Sequence, residues 1–452
     1  MNSKLIAIIV VTCSAILGLL IGFNDDFFIK EETNSDNLIF SGDVISGDNI
    51  DTSGEVISGE SNTNIEEIDP STTTPDNSGE HADTQINTEI IIPSTDFPTS
   101  SKEIPENVKA IYATGWVMGT KRIRDSVITA LKENGYNAIV IDIKDEAGQL
   151  SYDSSVQTAI DIKASQKMIS NVTDVISELK AEGFYVIGRI VTFKDPLYAS
   201  KVNSIAYKKS DGTVWKDYNG NAWPNPYNTA SWDYPIALAK EAAKLGFEEI
   251  QFDYIRFPSS EGKTSTIAYG FDRDTKTKSD IISGFLEKVM KELEPYDVVV
   301  SADVFGITTK KDGDFENIGQ DFSRISSIVD VVCPMVYPSH YYYNEYKIAK
   351  PDKNPYEIVY YSMEDAFERY DSYKDMHSGD STNIKLAKMR PYIQDFTASW
   401  LGSGNYLVYG EKEVTKQIQA LYDLGIYDFC LWDPSNKYCY TAIKNAVIKD
   451  EN

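Results

Sequence analysis

The segment Gly246–Pro258, with the sequence GFEEIQFDYIRFP, places an acid and a base at the end of an apolar run. β-formers lead up to Asp253 and Arg256, and Pro258 follows shortly after, which is typical of a buried strand that stops there. A carboxylate at the carboxyl end of a parallel strand is where α/β barrel enzymes hold their reactive groups. The segment therefore predicts an enzyme.

Residue types that are scarce narrow the chemistry. From residue 106 onward the chain has two histidines, His340 and His377, so a Ser-His-Asp triad or a histidine-rich zinc site is disfavoured. Neither a phosphate-binding loop nor a dinucleotide fingerprint occurs, and we expect no cofactor and no metal. Carboxylates remain as the reactive groups, and pairs of carboxylates are what most glycoside hydrolases use.

Strand-like and helix-like segments alternate from Val108 to the end of the chain. The predicted strands are Lys109–Val117, Ala138–Lys144, Tyr185–Phe193, the segment around Asp253, Val298–Phe305, Asp330–Tyr337, Met389–Asp395 and Tyr427–Asp433. The predicted helices are Lys121–Asn134, Gln166–Glu182, Tyr234–Leu245, Ser279–Leu293, Phe322–Ser327, Lys412–Leu424 and Tyr440–Ile448. Eight strands in this alternation predict a parallel sheet closed into a (β/α)8 TIM barrel. A doubly wound open sheet is the alternative, but no glycine-rich turn follows the first strand.

The side chains at the carboxyl ends of the predicted strands are mostly polar or aromatic. In chain order they are Trp116, Asp142, Lys144, Asp145, Arg189, Asp253, Arg256, Asp303, Tyr337, His340, Gln394, Asp395, Trp432 and Asp433. A single aspartate at a strand end is more often a helix cap. So many such side chains at one rim of a barrel instead favour a substrate-binding site.

The insertion between the third strand and its helix, Asp195–Asp233, is rich in aromatic residues. Trp215 and Trp223 stand there among tyrosines, asparagines and glycines, and flat aromatic faces suit the C–H surfaces of sugars. Because long loops at this rim usually serve binding, we expect both tryptophans to contact carbohydrate. The alternative is a self-packed loop whose aromatic residues form a small core of their own.

Four motifs together resemble a bacterial family of glycosyl hydrolase barrels without an assigned substrate. They are Asn225-Pro226-Tyr227, the segment Gly246–Pro258, Ala302-Asp303-Val304-Phe305-Gly306 and Pro334-Met335-Val336-Tyr337-Pro338. The resemblance covers about Val108 to Val447 and implies a TIM barrel with glycosidase activity.

A more distant resemblance is to the chitinase-type barrels. Met335-Val336-Tyr337 and Trp432 match that family in place and type, and Asp253 matches the last aspartate of its acidic run. The family's catalytic glutamate, however, is replaced by Ile255, which cannot carry a proton, so substrate-assisted chitinase chemistry is in doubt. Amylase- and α-galactosidase-type barrels are also similar, and in them the aspartate of the fourth strand is the nucleophile.

Asp253 and Asp303 are the predicted catalytic pair of a retaining mechanism. Asp253 would be the nucleophile, kept ionised by Arg256 or Arg189, because a nearby cation lowers the pKa of a carboxyl group. Asp303 would be the general acid and base, and Asp142, Asp145 and Asp395 are the reserves for that role. Neighbouring strand ends can bring two carboxyl groups to the roughly 5–5.5 Å that retention requires.

Two other functions stay open. A catalytically inactive barrel that binds carbohydrate at the cell surface is suggested by Ile255 in the glutamate position. A carboxylate-bound metal site would use Asp142, Asp145 and Asp433. In both hydrolase and binding-barrel hypotheses the ligand is a polysaccharide or oligosaccharide.

The amino-terminal residues predict where the domain works. Leu5–Phe23 is apolar and free of charge, follows Lys4 and is long enough to cross a bilayer as a helix. We expect residues 1–23 to anchor the chain in the cytoplasmic membrane with the remainder on its extracellular face. A cleaved signal peptide and a secreted protein are the alternative.

Residues 24–105 carry most of the chain's acidity, with 19 acidic residues against two lysines, while the whole chain has a net charge of −26. Such a segment predicts a disordered acidic linker rich in Ser, Thr and Asn. The negative balance disfavours a nucleic acid partner. Residues 106–452 then form the hydrolase domain, in which a disulfide between Cys430 and Cys439 is possible but not required.

Overall fold

The computed structural model describes residues 104–259, 261–311, 315–378 and 384–448. The predicted membrane anchor at 1–23 lies outside these residues, as does nearly all of the predicted linker at 24–105. No helix within the described ranges combines the length and apolar character needed to span a bilayer.

Eight parallel strands form a closed barrel within the described part of the chain. They are β1 (Lys109–Ala113), β2 (Ala138–Lys144), β3 (Tyr185–Val191), β4 (Glu249–Asp253), β5 (Val299–Phe305), β6 (Val331–Met335), β7 (Lys388–Met389 and Tyr392–Gln394) and β8 (Phe429–Trp432). Each strand pairs with its neighbours in chain order, and β8 pairs with β1 to complete the ring. The predicted (β/α)8 barrel is confirmed.

Helices follow the strands on the outside of the barrel. Those of the described ranges are α1 (Gly115–Gly119), α2 (Lys121–Asn134), α3 (Gln157–Ile162), α4 (Val172–Ala181), α5 (Pro196–Lys201), α6 (Asp233–Leu245), α7 (Lys278–Leu293), α8 (Phe322–Ser326), α9 (Pro355–Met376), α10 (Glu411–Asp423) and α11 (Ala442–Asn445). The bounds of β2 and α2 are those that the sequence predicts.

The first strand of the barrel, β1, is shorter than the predicted strand Lys109–Val117. The strand ends at Ala113 because Thr114 begins α1, and the Thr114 hydroxyl accepts a hydrogen bond from the Val117 amide at 3.4 Å. A threonine at this position caps a helix and so ends the strand before it.

The largest omission of the prediction is α9, a 22-residue helix between β6 and β7. Its buried side chains include Ile358, Val359, Met363, Ala366 and Tyr370, which recur at helical spacing. The helical periodicity of α9 is weak in the sequence because tyrosines and phenylalanine are spread around the helix. In addition, Pro355 at its start can also be taken as a loop residue.

The two faces of the barrel strands have different neighbours. Alternate side chains point outward to pack against the helices, as Ile139 and Ile141 of β2 do, while Ala138 and Val140 fill the interior. The interior is not wholly apolar, however. Glu249 of β4 and Arg390, which lies between the two segments of β7, are both fully buried. Arg390 Nη1 donates to the two carboxylate oxygens of Glu249 at 2.7 and 2.9 Å.

We expect Arg390→Met to lower the free energy of unfolding by about 3–5 kcal/mol, because it leaves the Glu249 carboxylate buried without its cation. Urea denaturation monitored by circular dichroism measures the change. The double variant Arg390→Met/Glu249→Met is the matched control and should recover most of the loss, since it removes both charges. A single variant as stable as the wild type would contradict this role of the ion pair.

The insertion after β3 is tied to the loop after β4. Lys208–Lys209 pairs in antiparallel fashion with Ile267–Ala268, and the Tyr227 hydroxyl donates to the Lys276 carbonyl at 3.0 Å. The two loops therefore form one structure above the β3 and β4 edge of the barrel.

Candidate active site

A pocket of about 90 Å³ opens at the carboxyl ends of the strands. Its walls come from β3, β4, β5, β6, β7 and β8 and from the loops that follow β2, β4, β5, β6 and β7. The lining residues are Glu146, Arg189, Asp253, Tyr254, Arg256, Asp303, Phe305, Gly306, Ile307, Met335, Tyr337, His340, Tyr341, Tyr392, Phe396 and Trp432. Three carboxylates and two guanidinium groups thus converge on one mostly apolar cavity.

Arg189 of β3 joins the carboxylates of the strands on either side of it. Its Nη2 and Nε donate to Asp253 Oδ2 at 2.6 and 3.0 Å, and its Nη1 donates to Asp142 Oδ1 at 2.7 Å. Glu146 in the loop after β2 accepts from Nη2 at 3.1 Å. Burial alone would lower the pKa of Arg189, but these three acids raise it well above its usual value, so the guanidinium stays charged.

Two aromatic rings hold the same guanidinium in place. Its central carbon lies 5.6 Å from the ring centre of Tyr112 and 5.1 Å from that of Trp432. The Tyr112 hydroxyl also donates to Asp142 Oδ2 at 2.5 Å. The rings and the carboxylates fix Arg189 from several directions, so it can act as a rigid partner for Asp253.

Asp253 ends β4 and is held through both of its oxygens. Oδ2 accepts the two bonds from Arg189, and Oδ1 accepts from the amide of Tyr254 at 2.6 Å. Tyr254 has a positive φ of 49°, a sparsely populated conformation for a bulky residue. The strand therefore turns sharply just after Asp253, and the carboxylate is oriented toward the pocket with its charge compensated.

Asp303 lies on the next strand, one position beyond the last registered pair between β4 and β5, Phe252 with Ala302. Since neighbouring strands lie about 4.8 Å apart, this register places Asp303 beside Asp253. Its side chain is buried, and its Oδ1 has no hydrogen-bond partner among the described residues. Burial raises the pKa of Asp303 well above its ordinary value, and the negative charge of Asp253 raises it further.

The two aspartates therefore differ in the way that acid–base chemistry requires. Arg189 donates two hydrogen bonds to Asp253, whereas burial and the negative charge of Asp253 raise the pKa of Asp303. Different surroundings of two neighbouring carboxyl groups are common in enzymes that use one of them as an acid. The arrangement can attack an electrophilic carbon with one group while it protonates a leaving oxygen with the other.

The structure brings some of the other predicted site residues to the same pocket. Arg189, Arg256, Tyr337, His340 and Trp432 line it together with the two aspartates. Asp142 lies behind Arg189, where burial raises its pKa to about 6 although Arg189 opposes the shift. It orients Arg189 and does not line the cavity.

Lys144 and Asp145 do not line the cavity. The Lys144 ammonium is fully buried, 2.5 Å from Asp195 Oδ2, and it lies 5.0 Å from the ring centre of Tyr234 in α6. Asp145 Oδ1 accepts hydrogen bonds from the amides of Ala147 and Gln149 at 3.0 and 2.8 Å, which closes the turn after β2. Both side chains stabilise the loops around the site.

The predicted residues of β7 also have partners in the protein. Gln394 is fully buried, donates to Asp352 Oδ1 at 3.0 Å and accepts from the Ser339 amide at 3.0 Å. Asp395 Oδ2 accepts from the Cys439 amide at 2.7 Å, and burial raises the pKa of Asp395 to about 7. Neither lines the pocket, so the geometry does not favour Asp395 as the reserve acid.

Asp433 closes a turn after β8, where its Oδ1 accepts from the amide and the hydroxyl of Ser435 at 2.6 and 2.7 Å. Within the described ranges, no three His, Cys, Asp or Glu side chains converge as they would to hold a metal ion. The alternative metal site of Asp142, Asp145 and Asp433 is therefore not formed. Cys333, Cys430 and Cys439 are free thiols, and the possible bond between the last two is absent from this structure.

The prediction that Trp215 and Trp223 of the insertion contact carbohydrate is wrong. Trp215 and Trp223 are 1% and 0% exposed, and their indole N–H groups donate to the Lys263 carbonyl at 3.2 Å and to Asp217 Oδ2 at 3.0 Å. Neither can offer a ring face to a sugar in this structure. The self-packed alternative is the one observed, because a long insertion must bury an apolar core of its own to be ordered. Trp116 is 61% exposed on α1, outside the pocket.

Trp223→Ala is expected to lower the free energy of unfolding by about 3–5 kcal/mol, because it removes a buried ring and leaves a cavity in the insertion. Thermal or urea denaturation measures the effect. Tyr218→Ala in the same insertion is the control, since Tyr218 is 69% exposed and its loss should cost less than about 0.5 kcal/mol. Equal stability of the two variants would show that the insertion has no core.

Several pocket residues were not predicted, including Glu146, Tyr254, Phe305 and Phe396. Glu146 directly follows the predicted rim residue Asp145, which is the one available signal for it in the sequence. Burial would raise its pKa, but Arg189 and Lys194 lower it below the usual value. Tyr112, which orients Asp142, lies within β1 and looks like a core residue in the sequence.

Comparisons with solved structures find several similar chains. A hypothetical protein from Ruminiclostridium thermocellum is 38% identical over 43% of this chain and 97% of its own, with a TM-score of 0.40. The PgaB (BpsB) glycoside hydrolase domain from Bordetella bronchiseptica is 11% identical over 76% of this chain and 99% of its own, with a TM-score of 0.49. A chitinase from Chromobacterium violaceum is 12% identical over 75% and 98%, with a TM-score of 0.42.

No curated protein matches the sequence. A family model matches residues 110–438, which include all eight barrel strands apart from the first residue of β1. The match covers well over half of the chain, and the motifs around Asp253 and Asp303 lie within it. The chain therefore belongs to the enzyme family described as "Putative glycosyl hydrolase domain".

Proposed function

We propose that this domain is a retaining glycoside hydrolase that cleaves an extracellular or cell-wall polysaccharide through Asp253 and Asp303. The observation that carries the proposal is their placement on adjacent strands at one pocket, in opposite electrostatic environments. Arg189 binds Asp253 directly, while burial and the charge of Asp253 raise the pKa of Asp303 and so favour its protonated form. Neighbouring strands lie about 4.8 Å apart, so carboxyl groups at adjacent strand ends can approach the roughly 5–5.5 Å separation of retaining enzymes.

In the first step, Asp253 attacks the anomeric carbon while Asp303 gives its proton to the departing glycosidic oxygen. The C–O bond to the leaving sugar breaks, and an ester forms between the substrate and Asp253. In the second step, Asp303 takes a proton from water, whose oxygen attacks the anomeric carbon and releases Asp253. Arg189 holds the Asp253 carboxylate in place before the attack and after its release.

The amino-terminal sequence suggests where in the cell this reaction takes place. An uncleaved helix at residues 1–23 and an extended acidic linker at 24–105 would hold the domain on the extracellular face of the cytoplasmic membrane, within reach of wall glycans. Cleavage of the first segment would instead release a secreted enzyme. Fractionation of cells that express the full chain distinguishes membrane-bound from released protein.

One observation favours a second candidate, a barrel that binds polysaccharide without cleaving it. In the resemblance to chitinase-type barrels, Ile255 stands at the position of the catalytic glutamate, and its side chain is fully buried in the apolar core. The pocket would then serve recognition alone.

A panel of bacterial wall and capsule polysaccharides tests both candidates. Reducing ends released by the purified domain identify a substrate, and proton NMR of the first product reports its anomeric configuration. A product that keeps the configuration of the substrate supports the proposal. A product of inverted configuration would exclude Asp253 as a nucleophile, and binding without any product would favour the second candidate.

A further inference from the structure

We infer that Trp400 forms a second sugar-binding subsite next to the catalytic pocket, which makes the enzyme specific for chains of several sugars. The inference rests on the proposed function and extends it to the length of the substrate. It concerns a residue that lies outside the cavity but contacts two residues of its wall.

Trp400 lies on a single turn, Ser399–Leu401, in the loop that follows β7. It is therefore at the same end of the barrel as the pocket. Its ring is partly exposed and stacks on Phe396 with 5.8 Å between centroids and 22° between planes. Phe396 in turn lines the catalytic cavity.

His340 connects the same two rings. It lines the cavity, and its imidazole packs edge-on against Phe396 at 6.1 Å and against Trp400 at 6.3 Å. Burial lowers the pKa of His340 to about 4, so the ring is uncharged at neutral pH. Tyr337 completes the contact, 5.3 Å from His340 and 5.8 Å from Phe396.

These four residues, which we call the aromatic wall, run from the catalytic cavity to solvent on the β6 and β7 side. A cavity of about 90 Å³ is small beside a polysaccharide chain. A polysaccharide that enters it must continue outside, and one face of a pyranose ring presents C–H groups that pack favourably on an exposed indole. The occupant we assign to Trp400 is therefore the sugar next in the chain to the one in the cavity.

In the insertion after β3, Trp215 and Trp223 are buried in its core and offer no ring face to a sugar. The aromatic wall is also continuous with the cavity through Phe396 and His340, whereas Trp116 is exposed on α1 and does not line the cavity. Continuity with the reacting site is the reason for choosing Trp400 over the other exposed aromatic residues.

Substrates of different length test the inference. The wild type and Trp400→Ala are compared on the 4-nitrophenyl glycoside of one sugar and on the pentasaccharide of that sugar, taken from the polysaccharide that the panel identifies. We expect kcat/KM to fall about tenfold or more on the pentasaccharide, since each 1.4 kcal/mol of lost contact is a factor of ten, and to stay within about twofold on the glycoside.

Trp400→Phe keeps an aromatic face and should recover most of the lost rate. Phe367→Ala is the matched control, because Phe367 is also a half-exposed ring but lies on α9, where it borders a surface cavity at the amino-terminal end of the strands. An equal loss on both substrates, or no loss on the pentasaccharide, would overturn the inference.

If the wild type cleaves neither substrate, the proposed hydrolase function fails. The subsite is then tested separately, by measuring the affinity for the pentasaccharide. Pentasaccharide affinity is then measured by isothermal titration calorimetry for the wild type, Trp400→Ala and Trp400→Phe. A Kd at least about tenfold weaker for the alanine variant, with recovery in the phenylalanine variant, supports the subsite. An unchanged Kd overturns it.

Discussion

Asp253→Asn is expected to lower kcat on the polysaccharide by about 10³-fold or more, because the amide cannot attack the anomeric carbon. The substitution keeps the size of the side chain, and its one oxygen can still accept the bonds from Arg189, while the bond from the Tyr254 amide is lost. Binding and folding should therefore change much less than the rate. Initial rates of reducing-end release, together with the melting temperature, separate the two effects.

Asp161→Asn is the matched control for this experiment. Asp161 lies exposed on α3, accepts a hydrogen bond from Gln157 and does not line the pocket. Its variant should retain the wild-type rate. A substrate analogue with fluorine next to the anomeric carbon should also leave a covalent adduct on Asp253, detectable by mass spectrometry of peptides. Full activity in Asp253→Asn would refute the assignment of the nucleophile.

Asp303→Asn is expected to cause the second large loss, about 10²–10⁴-fold on the natural substrate, which is the usual contribution of a general acid. The loss should be much smaller on a 4-nitrophenyl glycoside, because that leaving group departs without a proton. In the wild type, activity should fall as pH rises through the raised pKa of Asp303, since the protonated form is the acid. The variant should lose this alkaline decline in the first step.

The same residue links pH to stability. Burial raises the pKa of Asp303 in the folded state, so between its ordinary value and the raised value the folded protein binds more protons than the unfolded one. The free energy of unfolding therefore falls as pH rises through this range. Asp303→Asn is neutral at every pH, and we expect it to be less sensitive over the same range. If wild type and variant respond alike, Asp303 is not protonated in the folded state.

The prediction of the barrel succeeded where local signals agree. Gly135 follows the last residue of α2 and has a positive φ of 81°. Glycine commonly ends helices in this conformation, so the carboxyl-terminal end of α2 could be predicted from it. In β2, seven consecutive buried residues read as one strand. For α9 the apolar positions are diluted by tyrosines, so the periodicity does not stand out from the flanking loops.

The candidate site was predicted in part. Asp253, Asp303, Arg189 and His340 follow from their places at strand ends, and the structure brings them to one pocket. Asp145 stands at a strand end too, yet it closes a turn. The sequence cannot separate these roles, because both require a polar residue after an apolar strand.

The sequence by itself determined the order of eight strands and helices and the rim on which polar side chains collect, because both depend on patterns a few residues long. Only the tertiary structure decided which carboxylates share Arg189 and which aromatic residues reach solvent. Asp142 and Asp253 are distant in the chain and meet only because β2, β3 and β4 are neighbours in a closed sheet. Likewise, Trp215 and Tyr218 lie three positions apart in the same polar segment. The loop after β4 packs on Trp215 and buries it, whereas Tyr218 stays exposed.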